Sequence, residues 1–145
     1  MTEIVELTTD AEFRASYPVM HELRPHLSEA EYLTLLHDMV ENHGYRLFAL
    51  YDDGKIMALA GIEIMVTLYF GRSVHVHELI TTESGRSKGY GRKLLGYMDE
   101  FARANGCKVV WLTSAVHRLD AHRFYEQHMG YERVAYVFRE VVEGK

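Results

Sequence analysis

Apolar residues along the chain switch between helical and extended spacing, and the switches divide it into helices and strands. Residues 11–23 and the stretch after Ser28 show three- and four-residue spacing, which predicts two amphipathic helices. Asp10 is the expected N-cap of the first helix, and Ser28 with Glu31 forms a capping box for the second. Arg24 and Pro25 separate the helices, because a residue before proline avoids the helical region. Two later helices are predicted over residues 90–105 and 120–129.

Runs of apolar residues in extended spacing predict the strands. The first strand covers residues 4–7, and the turn Asp52-Asp53-Gly54-Lys55 joins a strand at 46–51 to a long strand over 56–70. This long strand is expected to bend near Gly61. A strand at 75–82 precedes a glycine-rich stretch, and the continuous apolar run 109–113 is typical of a central or parallel strand. Residues 131–142 are predicted to form the last strand or strand pair. Antiparallel strands followed by a strand–loop–helix–strand–helix unit indicate one α+β domain over residues 1–145, with a mixed sheet.

Composition narrows the class of protein. The chain has 145 residues, which is enough for one domain with a hydrophobic core, and it is 48% hydrophobic and 26% charged. A net charge of −5 argues against a general nucleic-acid surface. No apolar run is long enough to cross a membrane, and the N-terminus has no signal-peptide pattern. The single Cys107 excludes an internal disulfide, so a cytoplasmic location is expected.

The glycine-rich stretch carries the clearest chemical signal. It lies between a predicted strand and a predicted helix and has the pattern Arg-x-x-Gly-x-Gly over Arg86 to Gly91. The unpaired N–H groups at the start of a helix favour a phosphate, and glycines at 89 and 91 let the phosphate approach the backbone. Nearby basic residues add positive charge: Arg86, Lys88, Arg92 and Lys93. The pattern lacks the Gly-Lys-Ser/Thr of a P-loop and the third glycine of a dinucleotide-binding fold, and no residue is placed to bind Mg²⁺ or ribose.

A second motif follows one helix and one strand later. Ala121, Phe124, Tyr125, Gly130 and Tyr131 are its defining positions. In this order and spacing, the two motifs resemble those of the GNAT superfamily of acetyl-CoA-dependent N-acetyltransferases. The resemblance implies a mostly antiparallel central sheet with a V-shaped splay between two parallel strands, flanked by about four helices. It also implies acetyl-CoA as co-substrate and a small-molecule, peptide or protein amine as acceptor. The oligomeric state stays open, although the resemblance makes a homodimer common.

The same resemblance implies the cofactor-binding positions. The diphosphate would be held by the loop residues Arg86, Ser87, Lys88, Gly89, Tyr90, Gly91 and Arg92. The pantetheine arm would pair with backbone groups of Leu79, Ile80 and Thr81, with the Leu79 N–H as oxyanion donor. The asparagine that often contacts pantetheine in this family is replaced by Arg118, so no cofactor contact is expected there.

Acetyl transfer to an amine needs a base, an oxyanion donor and an acid for the thiolate. Tyr125 matches the position of the family's general acid. His75 and His77, eleven and nine residues before Arg86, are candidate bases, since alternate residues on a strand share a face. Glu78 would point to the opposite face of a regular strand, but a bulge can redirect it, so it remains a further candidate.

Each of these assignments has a structural alternative. Tyr125 could be an ordinary packing residue, and either histidine could be a core or surface residue. A His-x-His pair can also suggest a metal site, yet the chain shows no zinc-binding spacing, so no metal is expected. Acceptor contacts are expected at the joint between the first two helices, from Tyr17, Arg24, His26 and Tyr45, and the two basic residues favour an anionic acceptor. The alternative function is an acyl-CoA-binding sensor or regulatory module of the same fold with little turnover.

Overall fold

The computed structural model of the protein describes residues 1–144. These residues form two compact units, one ending at Leu112 and the other beginning at Thr113. The first unit contains β1 (Thr2–Leu7), α1 (Asp10–Leu23), α2 (Glu29–Asn42), β2 (Tyr45–Asp52), β3 (Lys55–Thr67), β4 (Gly71–Thr81), a 3₁₀ turn (Glu83–Gly85), α3 (Tyr90–Ala104) and β5 (Val109–Leu112). The second contains α4 (Leu119–Arg123) and a π-helical turn (Phe124–His128). No helix among these residues is long and apolar enough to cross a membrane.

The first unit is built on a five-stranded sheet in the order β1-β2-β3-β4-β5. All neighbouring strands are antiparallel except β4 and β5, which are parallel. The mixed, mostly antiparallel α+β fold with four helices is therefore confirmed. Strands that follow one another along the chain therefore lie side by side in the sheet, as consecutive elements usually do.

The splay between the two parallel strands is visible in their pairing. Ser73 to Val76 of β4 pair with Val109 to Leu112 of β5, but β4 continues to Thr81. Within residues 1–144, no strand pairs with this edge of β4 from His77 to Thr81. Backbone groups at the end of β4 are therefore available on that side, directly before the glycine-rich loop.

The helices cover the two faces of the sheet. α1 and α2 pack on one face, where Phe13, Met20 and Leu36 lie in a core with Leu47 and Leu59. On α3, the buried side chains recur at helical spacing, at Leu94, Leu95, Met98 and Ala102. Phe101 of this helix packs edge-on against Phe48 of β2, with ring centroids 5.5 Å apart. The predicted amphipathic period of all three helices thus matches their packing.

Two predictions about elements need correction. Thr9 caps α1 instead of Asp10, because its hydroxyl accepts from the Glu12 N–H while the Glu12 carboxylate accepts from the Thr9 N–H. Residues 131–142 form no strand. β5 lies at the edge of the sheet and is parallel to β4, which is one of the two positions that its apolar run indicated. The capping box of Ser28 and Glu31 is confirmed.

Candidate active site

The glycine-rich loop joins the end of β4 to the start of α3. Two of its residues have left-handed backbones, Ser87 with φ of 68° and Gly89 with φ of 82°. Gly89 is the N-cap of α3 and has no side chain that could accept a hydrogen bond from the first N–H groups of the helix. These N–H groups therefore have no intrahelical partner. A Cβ added to Gly89 would meet no atom within 4 Å, which means that the space in front of it is open. The four basic side chains of the loop and first turn are all exposed: Arg86, Lys88, Arg92 and Lys93.

The first turn of α3 is bonded to β1 and β2 at the end of the sheet where β4 also ends. The Tyr90 phenol donates a hydrogen bond to the carboxylate of Asp52, which ends β2. This bond lowers the pKa of Asp52 and raises that of Tyr90. Lys93 donates to the Thr2 hydroxyl at 2.9 Å. The Tyr90 hydroxyl is therefore engaged in a hydrogen bond within the protein, so we expect Tyr90 to meet a ligand at the loop through its backbone.

A β-bulge interrupts β4 just before its open edge. Val76 pairs with Ile62 and Glu78 pairs with Gly61, so His77 is the extra residue. Glu78 lies on the same face of the sheet as its partner Gly61, because paired residues share a face. His77 turns toward this face as well, since the centroid of its ring is 4.2 Å from that of the His75 ring. The bulge thus places His75, His77 and Glu78 on one face of the sheet. The sequence was compatible with such a bulge but did not show whether it forms.

The same face carries a row of side chains across four strands. Tyr45 pairs with Glu63, Glu63 with His75, and His75 with Trp111. The His75 ring stacks on Trp111 with centroids 3.9 Å apart and planes 14° from parallel. Sequence reasoning missed Glu63 and Trp111 as members of the site. The only local signal was that Glu63 interrupts an apolar strand.

Glu78 is held by two partners. Its Oε1 accepts from the Tyr45 hydroxyl at 2.6 Å, and its Oε2 accepts from Arg24 at 3.0 and 3.3 Å. Arg24 also donates to the His77 carbonyl at 3.2 Å, which fixes the bulge to the end of α1. Burial and the neighbouring Glu78 carboxylate raise the pKa of Tyr45 well above its usual value. Glu78 is therefore a paired carboxylate with both oxygens in use.

The two histidines differ in their surroundings. Burial, and secondarily the neighbouring His77, lower the pKa of His75 to about 4, so its ring is neutral at pH 7. Neither ring nitrogen of His75 has a hydrogen-bond partner among the described residues. His77 Nε2 lies 3.7 Å from the Glu63 carboxylate. His77 is therefore the histidine with an acid beside it.

Gly61 makes room for Tyr45 at the centre of this site. A Cβ at this position would lie 1.6 Å from the Tyr45 hydroxyl oxygen. We expect Gly61→Ala to displace the Tyr45 ring, break its bond to Glu78 and lower the free energy of unfolding by about 1–3 kcal/mol. Denaturant unfolding measures this change. Gly96→Ala is the control, since a Cβ there contacts nothing within 4 Å, and equal stability of the two variants would contradict the assigned packing.

Other predicted site residues are less available than the sequence suggested. Tyr17 donates to the Leu27 carbonyl at 2.7 Å, and Arg24 is paired with Glu78 as described. His26 is exposed in the α1–α2 connection. Across residues 1–144, no group of three or more histidine, cysteine or acidic side chains could hold a metal ion.

Tyr125 lies in the second unit, within the π-helical turn. Its side chain is buried, and burial raises its pKa, an effect that the charge and hydrogen bond of Arg118 oppose. The backbone around it is fixed because the Tyr131 N–H donates to the Tyr125 carbonyl at 2.8 Å. A buried phenol with a raised pKa keeps its proton at pH 7. Arg118, where no cofactor contact was expected, is instead a partner of Tyr125.

Comparison with known proteins adds sequence and structural relatives. The sequence profile of the Acetyltransferase (GNAT) family matches residues 4–131. The uncharacterized N-acetyltransferase YhdJ of Bacillus subtilis (strain 168) is 42% identical over 142 residues, covering 98% of this chain and 100% of that protein.

Two solved structures share the fold. One is a transcriptional regulator from Bacillus halodurans C-125, with a TM-score of 0.84, 20% identity and coverage of 97% of this chain and 99% of that one. The other is aminoglycoside N-acetyltransferase AAC(6')-Iy in complex with CoA, with a TM-score of 0.84, 14% identity and coverage of 97% and 94%.

Proposed function

Because the chain belongs to the GNAT acetyltransferase family, we propose that it transfers an acetyl group from acetyl-CoA to a primary amine by direct attack in a ternary complex. One observation carries the proposal. The left-handed Gly89 and the uncapped start of α3 lie directly after the open edge of β4, on which the bulge places His77 and Glu78. The strand β4 thus connects the proposed phosphate-binding loop to the reaction face, by which we mean the side of the sheet that carries His75, His77 and Glu78.

The loop fits the diphosphate of coenzyme A. Open space in front of Gly89 lets an anion approach the backbone N–H groups of residues 87–92, which include those of Ser87, Lys88, Tyr90, Gly91 and Arg92. Arg86 contributes its side chain, because its backbone N–H donates to the Glu83 carbonyl. Exposed basic side chains add charge-assisted contacts. The unpaired edge of β4 offers backbone groups of Leu79 and Thr81 to the pantetheine arm, and we assign the Leu79 N–H as donor to the developing oxyanion. Ile80 is expected to contribute no backbone group, because the Thr82 N–H donates to Met57 of β3 and alternate residues of an antiparallel pair point to the same side.

His77 is the base that we favour. Both oxygens of Glu78 already accept hydrogen bonds, so this carboxylate positions the bulge instead of taking a proton. His75 has a pKa of about 4 and binds a proton too weakly at pH 7 to serve. A carboxylate 3.7 Å from His77 Nε2 offsets the positive charge that His77 gains on accepting a proton.

Tyr125 is the proposed acid. As the amine nitrogen bonds to the acetyl carbon and the carbon–sulfur bond breaks, the phenol gives its proton to the departing thiolate. The ammonium proton of the acceptor goes to His77. Arg118 hydrogen-bonds to Tyr125 and stabilises the phenolate that this transfer leaves. Arg24 is occupied by Glu78, so an anionic acceptor is no longer favoured over other small-molecule, peptide or protein amines.

The experiment is CoA release from acetyl-CoA with a panel of primary amines, preceded by calorimetry with CoA alone. Binding with amine-dependent turnover supports the proposal. Binding without turnover for any amine would support the alternative, an acyl-CoA sensor of the same fold. Absence of binding would contradict both.

His77 is tested by its pH profile. We expect His77→Gln to reduce kcat about tenfold, which is less than the 10²–10⁴-fold that general bases usually contribute, because water and buffer can also accept the proton. The acidic limb of the kcat/KM profile should disappear with it. His26→Gln, at an exposed histidine, is the matched control and should keep the limb. An unchanged profile in His77→Gln would place the base elsewhere.

A further inference from the structure

Glu63 carries a carboxylate on the reaction face that has no cationic side chain as its partner. The side chain is 20% exposed, and its Oε1 lies 3.7 Å from His77 Nε2, which is too long for a hydrogen bond. Within residues 1–144, no lysine or arginine forms an ion pair with Glu63. A partly buried charge is ordinarily paired, so this carboxylate is suited to a cation from outside the chain.

The other ionisable groups of the reaction face supply no free positive charge to Glu63. Arg24 is paired with Glu78, since its guanidinium lies 3.0 Å from the Glu78 Oε2. Burial lowers the pKa of His75 to about 4, so its ring is uncharged at pH 7. When His77 is neutral, as a base must be, the face therefore has one uncompensated negative charge, and it lies at Glu63.

The chemistry of this position fits an organic ammonium group. Across the described part of the chain, residues 1–144, no three histidine, cysteine or acidic side chains could hold a metal ion. An ammonium nitrogen instead needs acceptors at about 2.9 Å, and a carboxylate offers two oxygens that both accept. Alkyl amines such as the lysine side chain have a pKa near 10.4, so they are cations at pH 7. The amine to be acetylated can thus supply the charge that Glu63 lacks.

We propose that Glu63 binds the ammonium group of the acceptor, and that the acceptor is therefore an alkyl amine that is cationic at pH 7. The inference rests on the proposed acetyl transfer, which makes an amine the second substrate. Because Glu63 lies beside His77, an ammonium group bound to the carboxylate is next to the residue that takes its proton. Glu63 thus selects the acceptor by charge, while His77 carries out the proton transfer.

Calorimetric titration of the protein with small ligands, in the presence of CoA, tests this site. At pH 7 we expect benzylamine, a cation, to bind at least about tenfold more tightly than its uncharged analogue benzyl alcohol, as hydrogen bonds to charged groups usually allow. Glu63→Gln keeps the shape of the side chain and removes its charge, so this preference should fall below about threefold. Glu3→Gln, the same change at an exposed glutamate of β1, is the matched control and should retain the preference.

A third ligand tests the contact in the wild-type protein. Benzyltrimethylammonium has the positive charge but no N–H to donate, so it should bind more weakly than benzylamine. If it binds as tightly, aromatic rings such as that of Trp111 hold the cation by cation–π contact, and the assignment to Glu63 is overturned. The assignment is also overturned if benzylamine does not bind, if it binds no better than benzyl alcohol, or if its preference survives in Glu63→Gln.

These titrations contain no acetyl donor, so their results are independent of turnover. A protein that acetylates amines but binds benzylamine and benzyl alcohol equally would contradict the ammonium site alone. A protein that binds benzylamine selectively through Glu63 but acetylates no amine would contradict the transfer reaction and still support the ammonium site. The two proposals can therefore fail separately.

Discussion

Replacing Gly89 with valine is expected to weaken CoA binding at least a hundredfold. Gly89 has a φ of 82°, and a β-branched residue held in this region costs about 1–3 kcal/mol. The valine side chain would also fill the open space through which we expect the diphosphate to reach the backbone amides. Each 1.4 kcal/mol changes the dissociation constant tenfold, so the two effects together reach two orders of magnitude. Calorimetry with CoA measures the change directly.

Gly96→Val is the matched control for this variant. It introduces the same side chain on the same helix, at a glycine whose added Cβ contacts nothing within 4 Å and which has no left-handed backbone. Its CoA affinity should equal that of the wild type. If Gly89→Val binds CoA as well as Gly96→Val does, the loop is not the diphosphate site.

Replacing Tyr125 with phenylalanine is expected to lower kcat about 10²-fold while leaving the dissociation constant for CoA almost unchanged. The substitution keeps the buried ring and removes only the hydroxyl that we propose as the proton donor, and general acids usually contribute 10²–10⁴-fold. Steady-state kinetics and calorimetry together separate the two quantities. A loss of binding with unchanged kcat would instead indicate a packing role for the ring.

Tyr131→Phe provides the control for Tyr125→Phe. Tyr131 is in the same unit, and its ring lies 6.1 Å from that of Tyr125. Removing its hydroxyl makes the same chemical change without touching the proposed donor. Turnover of Tyr131→Phe should therefore stay within a few-fold of the wild type, and a loss equal to that of Tyr125→Phe would argue against a special role for Tyr125.

The glycine loop could be predicted from sequence because its signals are local. A strand, a helix and the Gly89 and Gly91 pattern lie within some thirty residues, and the positive φ at Gly89 agrees with the residue type. The bulge at His77 could not be predicted, since it depends on how β4 aligns with β3. The same holds for Glu63 and Trp111, which join the site only through strand register.

The C-terminal segment shows a different limit. Its composition predicted a strand over residues 131–142, and the described chain has none there. Strand propensity reflects fit to a neighbouring strand, so composition can identify a strand-forming segment without identifying the strand it pairs with. The apolar run of β5 was predicted to be a central or parallel strand, and it is the parallel strand at the edge of the sheet.

The stacking of Trp111 on His75 gives the protein a built-in optical reporter. The chain has one tryptophan, and its indole is in direct contact with a ring of the reaction face. When excitation is set where the ten tyrosines absorb little, the fluorescence of the unlabelled protein therefore originates from a single place beside the proposed chemistry. Emission intensity and wavelength can follow ligand arrival in a stopped-flow instrument, without a dye whose attachment would disturb the cleft.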